Sequence, residues 1–418
     1  MSVLKPFRGL RPARELVSKV AVLPYDVLSS DEARQKASGN PISFFHVTKP
    51  EIDLDPGINL YSDIVYETGK NNFLRLIKEG VFVQDKEEYL YIYRQKMGAH
   101  AQTGILGCAS VDDYSKDIIK KHELTRKDKE DDRTRHVREM DANAGPVFLT
   151  YRAEREIDAV VDEFVRKNSP EYDFTAEDGI EHVLWVIRDK SVIRSLSGLF
   201  AEKVPVLYVA DGHHRAASAA RVGMEKRQKT PDYSGHEEFN FFLAVYFPHD
   251  QLKILDYNRV VKDLNGLTPD VFMAEIGKKF RLENLPAGRE PFRPDQPHTF
   301  GMFLEGSWHK LTAIEGNWKN DDPVESLDVS ILLTNLLDPI LGIRDPRTDK
   351  RIDFIGGIRG TGELVKVVNE GHFKVAFAMY PTTLEELMRI ANAGKLMPPK
   401  STWFEPKLRS GLVIHLLT

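Results

Sequence analysis

The chain has a single cysteine, Cys108, among 418 residues. One thiol excludes an internal disulfide and a multi-cysteine metal cluster, and it suits a reducing compartment. It lies in the apolar run Gly104-Ile105-Leu106-Gly107-Cys108-Ala109, so it reads as a small buried hydrophobe, not as a nucleophile. No stretch of about 18 consecutive apolar residues is present, and the first residues lack the apolar core of a signal peptide, so a cytoplasmic protein is expected. There is no charge excess either. A net charge of -5 gives no general attraction to nucleic acid or anionic lipid, so neither is expected as a partner, and any basic site must be local. His-Glu-x-x-His, internal repeats and low-complexity segments are all missing.

What is there is an ordinary globular composition, with 41% apolar residues, enough for a sizeable core and two or more compact units. The stretch around which the chain is organised is Val204-Pro205-Val206-Leu207-Tyr208-Val209-Ala210-Asp211-Gly212-His213-His214-Arg215, followed by an Ala-rich segment. A short Val-rich run closed by Asp-Gly predicts a buried strand and a tight turn, with a helix starting at once. A helix start presents unpaired N–H groups and the positive end of its dipole, which favour an anion such as a phosphate. Asp211 alone fits a plain N-cap as well as a site residue. Three bulky polar residues in a row at a strand exit contribute little to a core, which points to function for His213, His214 and Arg215.

Elsewhere, Lys19–Leu23 reads as a strand that ends at Pro24-Tyr25-Asp26, and Asp26 fits either a turn or a site. Ser29 and Glu32 form a Ser-x-x-Glu capping box ahead of a short helix. Ile42–Val47 reads as a strand, and Glu51, Asp53 and Asp55 as a solvated loop. Residues 59–79 carry helical periodicity ending at Gly80, and Tyr89–Arg94 and Thr103–Val111 read as strands, the first with a half-buried tyrosine face. Residues 113–139 hold 9 Lys/Arg and 8 Asp/Glu among 27 positions. Such near-cancelling charge reads as an ion-paired surface helix. Within that stretch Lys121-His122-Glu123-Leu124-Thr125 and Asp132-Arg133 also supply an imidazole, a carboxylate and paired charges, the materials of acid–base chemistry. Strands and helices then alternate to the tail Met397-Pro398-Pro399-Lys400-Ser401-Thr402-Trp403-Phe404. Its aromatics imply a segment pinned to the globule, either by packing alone or also lending Lys400 and Lys407 to an anionic ligand.

Pro24-Tyr25-Asp26-Val27, Asn40-Pro41 with Ser43, Lys121-His122-Glu123 with Thr125, Asp132-Arg133, Ala210-Asp211-Gly212-His213-His214-Arg215 and Met397-Pro398-Pro399-Lys400-Ser401-Thr402 occur in that order. Together they resemble the motifs of the DUF1015 family of bacteria and archaea. The elbow more distantly resembles the Gly-x-x-Arg turn of the ParB/sulfiredoxin superfamily, whose members include a CTP-dependent partition clamp, an ATP-using sulfiredoxin and a free-serine kinase. His213 stands where sulfiredoxin has its cysteine, which argues against sulfinic-acid repair. Asp211, Gly212, His213 and Arg215 match the serine-kinase turn best.

The resemblance implies an α/β or α+β fold with a mixed sheet and flanking helices. A nucleotide-binding core over 1–265 and an α+β region over 266–418, whose tail returns to the core, are expected. The expected function is a nucleotide-dependent phosphotransferase acting on a small metabolite, with ATP or ADP and Mg2+ as cofactors. In that reading Gly212, His213, His214, Arg215 and Lys400 contact phosphates, Asp211 holds Mg2+, Glu123 or Asp26 is the base, and His122 assists. Two other classes stay open. One is a nucleotide-responsive binding protein without turnover; the other is a metal-dependent hydrolase with Asp211, His213, His214 and His122 as ligands.

Overall fold

The computed structural model describes residues 2–286 and 290–418; the proline-bearing, weakly apolar stretch 288–297, which reads from sequence as an exposed loop or a subdomain junction, begins outside the described residues. The chain divides into two compact units, one of residues 1–252 with 406–418 and the other of residues 253–405. This division differs from a boundary at 265. The reason lies in the strand Tyr257–Val261, which is hydrogen-bonded on both sides within the second unit's sheet.

The first unit is built on a mixed eight-stranded sheet. Its order is Ile119–Lys120, Leu207–Asp211, Val147–Tyr151, Phe241–Pro248, His100–Ser110, Leu90–Met97, Glu181–Ile187 and Tyr172–Thr175. Two neighbouring pairs are parallel, Leu207–Asp211 with Ile119–Lys120 and Phe241–Pro248 with Val147–Tyr151; the others are antiparallel. The helices Arg155–Lys167 and Lys190–Lys203 contribute Ile157, Val161, Leu196 and Phe200 to the core that includes Leu149, Leu207 and Tyr246. Cys108 is wholly buried in this sheet, as its apolar flank implies. Asp113, Asn143, Lys407 and Ser410 are also buried in this unit.

Several local expectations are corrected. Lys19–Leu23 is no strand: Val17–Val20 forms one helical turn, and Val22 makes only an isolated bridge to Ser410. Ile42–Val47 is likewise helical at Phe45–Thr48, with Thr48 Oγ1 donating to the Phe44 carbonyl. A strand would point Phe44 and Phe45 to opposite faces, whereas both join one cluster with Val47 and Ile52. Glu51 is not solvated; it accepts from Ser30 Oγ at 2.6 Å and pairs with Lys49. Tyr91 and Tyr93 are fully buried, not half-buried, because their hydroxyls meet Asp85 and His182. The charged helix Lys127–Met140 has a buried side too, made by Asp132, Thr134 and His136.

The second unit contains a six-stranded antiparallel sheet in the order Phe280–Asn284, Ser307–Ala313, Thr299–Leu304, Val375–Ala378, Tyr257–Val261, Ile352–Gly356. Its core includes Val260, Phe303, Trp308, Leu364 and Ala376. The helix Asp328–Leu332 runs on into a π-helical turn at Leu333–Leu337. No helix among the described residues is long and apolar enough to cross a membrane.

Candidate functional site

The elbow forms as its residues dictate. Strand Leu207–Asp211 ends with a register shift against Val147–Tyr151 between Val209 and Asp211, a bulge that bends the strand just ahead of the turn. Gly212 then takes φ +90°, and helix His213–Lys229 begins. A side chain at Gly212 would be strained at that φ and would place its Cβ 3.0 Å from Arg215 Nε. The parallel neighbour Ile119–Lys120 runs alongside, with Ile119 opposite Leu207. Its exit therefore delivers His122 and Glu123 to the start of the elbow helix. The His122 and His213 rings meet edge to face with centroids 4.5 Å apart.

Charge is unevenly distributed here. Burial works to raise the Asp211 carboxyl, but Lys407, Arg215 and His213 together hold it below the usual carboxylate range. Arg215 Nη2 donates to Asp211 Oδ2 at 3.1 Å, and Lys407 Nζ lies 3.5 Å from Oδ1. Arg215 Nη1 also donates to the Pro146 carbonyl. Burial pushes His122 down to about 4, and burial together with the neighbouring His122 pushes His213 well below its ordinary value. His214 is half-buried and lowered, again chiefly by burial, and its Nε2 accepts the Arg126 amide at 3.0 Å. At neutral pH these imidazoles are thus uncharged, and the positive charge of the elbow resides on Arg215 and Lys407. His122 is 1% and His213 6% exposed. Both His122 ring nitrogens and His213 Nε2 have no hydrogen-bond partner among the described residues. The Val209 carbonyl lies near enough to favour protonated His122, yet outside hydrogen-bond geometry.

Beside the elbow is a cavity of about 50 Å³. Tyr25, Arg133, His136, Gly145, Arg215 and Ser410 are among its walls. The Arg133 guanidinium lies 4.0 Å over the Tyr25 ring and pairs with Asp132, which also accepts the Tyr66 hydroxyl. Arg215 Nε is buried without a partner. Asp26 is exposed, and its charge favours protonated His214 and neutral Tyr25, which sets it at the rim of the same region. The cavity's Arg133 and His136 stand three apart on one helix, a spacing that puts both on one side. Ser410 and the pairing of Lys407 left no sequence signal beyond a nearby basic residue. Lys400 belongs to the second unit, where its ammonium sits 5.6 Å from the Tyr257 ring centroid and its backbone has φ +59°.

The family model described as "Protein of unknown function (DUF1015)" matches residues 4–330. The chain belongs to the DUF1015 family. No curated protein matches it. Among solved structures, a free serine kinase mutant in complex with ADP is 13% identical, covering 72% of this chain and 87% of that chain at a TM-score of 0.35. SbnI with C-terminal truncation, from Staphylococcus aureus, is 11% identical, with coverage of 72% and 82% and a TM-score of 0.37. A conserved hypothetical protein from Pyrococcus furiosus is 13% identical, with coverage of 73% and 93% and a TM-score of 0.34. At such values the functional reading rests on the site's own geometry.

In this DUF1015 member the elbow brings together Asp211, Gly212, His213, His214 and Arg215 with His122 and Glu123, and through His214 with Asp26. Two chemistries meet there. Arg215, Arg133 and a helix start suit an anion. The donor atoms of His122, Glu123 and His213 lie within 4.8 Å of one another, close enough for one metal ion to gather them.

Proposed function

We propose that the first unit binds a phosphate-bearing nucleotide at the start of helix His213–Lys229 and transfers its terminal phosphoryl group to a hydroxyl of a small metabolite. The observation that carries this reading is Arg215: a part-buried guanidinium in a cavity wall at a helix N-terminus, whose buried Nε is left without a partner. A phosphate oxygen supplies that missing acceptor, and Arg133 in the same wall supplies a second guanidinium. Gly212 keeps the backbone open to close approach. Asp211 is the counter-ion that holds Arg215 and Lys407 in place; Mg2+ at Asp211 would have to displace one of them.

Phosphoryl transfer asks the protein mainly for positioning and charge stabilisation. Of the two candidate bases, Asp26 is the exposed one, beside Tyr25 and His214, and we assign it the acceptor hydroxyl's proton. Glu123 faces the histidine pair. The resemblance of the Asp211-Gly212-His213-x-Arg215 turn to that of the free-serine kinase makes serine the first acceptor to try.

Calorimetric titration of the full chain with ATP, ADP and AMP tests the binding step, with release of labelled product from serine testing transfer. A nucleotide at about 100 times its Kd stabilises the protein by about 2.7 kcal/mol. Absence of any melting shift with all three nucleotides, with and without Mg2+, removes the reading.

A further inference from the structure

We propose that His122, His213 and Glu123 hold a first-row divalent transition-metal ion. This site adjoins the phosphate seat described above, and its occupancy does not depend on that reading.

Its donors come from two separate segments, made neighbours by the parallel pairing of Ile119–Lys120 with Leu207–Asp211. Both imidazoles are more than nine-tenths buried, and three of their ring nitrogens have no hydrogen-bond partner among the described residues. Buried polar atoms in native proteins are nearly always satisfied, and unsatisfied ones call for a ligand, water or ion. Ring packing does not meet that need: the edge-to-face contact at 4.5 Å leaves the nitrogens as they were.

The donor set selects the kind of ion. Two imidazole nitrogens and one carboxylate oxygen suit Zn2+, Mn2+, Fe2+ or Co2+, whereas Mg2+ and Ca2+ favour all-oxygen shells. Bonds of about 2.0–2.2 Å place ligand atoms roughly 3–4 Å apart around one ion, and the donor atoms here lie within 4.8 Å. Binding an ion would draw the widest pair of donors closer by roughly 1 Å. Asp211 lies close enough to favour positive charge on both rings, while Arg215 opposes that at His213. Three protein ligands leave coordination positions open for water or a substrate oxygen, the pattern of a reactive rather than a structural site.

The test is to strip the full-length protein with a chelator and titrate it with Co2+ and Zn2+, following the Co2+ visible bands and heat. One equivalent per chain is expected, displaced by Zn2+ and not by a large excess of Mg2+. His122→Asn and Glu123→Gln should each weaken Co2+ binding at least tenfold. Glu123 is only partly buried, so Glu123→Gln, checked by circular dichroism and melting, separates ligand loss from misfolding. No stoichiometric Co2+ binding, or binding of unchanged strength in both variants, overturns the proposal. Nucleotide titrations of the stripped protein run in parallel. Metal uptake without nucleotide binding leaves this inference standing and removes the phosphotransfer reading; nucleotide binding without metal uptake does the opposite.

Discussion

The Lys407 ammonium stands 3.5 Å from Asp211 Oδ1, while Arg215 Nη2 holds the other oxygen at 3.1 Å. One carboxylate thereby fixes two cations that come from widely separated parts of the chain. Lys407 is 8% exposed, so its charge is sited where solvent screens it little.

Lys407→Met is expected to weaken nucleotide binding about 10- to 100-fold and to lower stability by roughly 1–3 kcal/mol. That cost is below the one for breaking a fully buried pair, because Arg215 still neutralises Asp211. Calorimetry and thermal melting check the two effects separately. Unchanged affinity would place Lys407 in a purely structural role.

Gly212→Ala meets two penalties at once, a φ of +90° and a Cβ 3.0 Å from Arg215 Nε. A loss of about 1–3 kcal/mol is expected, with nucleotide affinity falling further as Arg215 is pushed aside. A denaturant titration with and without nucleotide reads both, and an unaltered midpoint would contradict the strain argument.

Asp26→Asn removes the assigned base and leaves the phosphate seat untouched. The transfer rate should drop by about 100- to 10,000-fold, with nucleotide Kd changed less than about threefold. Retention of full turnover in this variant would move the role to another carboxylate.

In the second unit, burial raises Asp328 to about 7, against the His298 amide that donates to Oδ1 at 2.8 Å. The folded form thus binds this proton more tightly than the unfolded chain, whose value is near 3.8. Its stabilising effect is complete below about pH 4 and fades as pH rises to about 7, with a slope of at most about 1.4 kcal/mol per pH unit. Asp328→Asn should flatten that part of the profile. Melting curves across this range, recorded for both proteins, would show whether the slopes differ.

Helix starts were the most legible features. The Ser29 and Glu32 capping box is formed on both sides, the Ser29 hydroxyl accepting from the Glu32 amide and the Glu32 carboxylate accepting from the Ser29 amide. Both signals are local, set by a side chain within three residues of the amide it satisfies. The elbow was legible for the same reason: an apolar run, Asp-Gly and an Ala-rich helix need no distant partner to be read. Ile42–Val47 was misread because short apolar runs suit strand and helix alike, and only the surrounding cluster decides which faces must be buried.

The sequence by itself determined the elements that depend on neighbours along the chain: the turn at Gly212, the helix behind it, the buried Cys108 and the polar residues gathered at the strand exit. Tertiary structure alone decided which of those residues meet. Strand pairing brought His122 and Glu123 to His213, and return of the tail brought Lys407 to Asp211. It also decided their charge, because desolvation depends on everything that surrounds a group: burial leaves His122 and His213 neutral, so that arginine and lysine, not histidine, make the elbow positive.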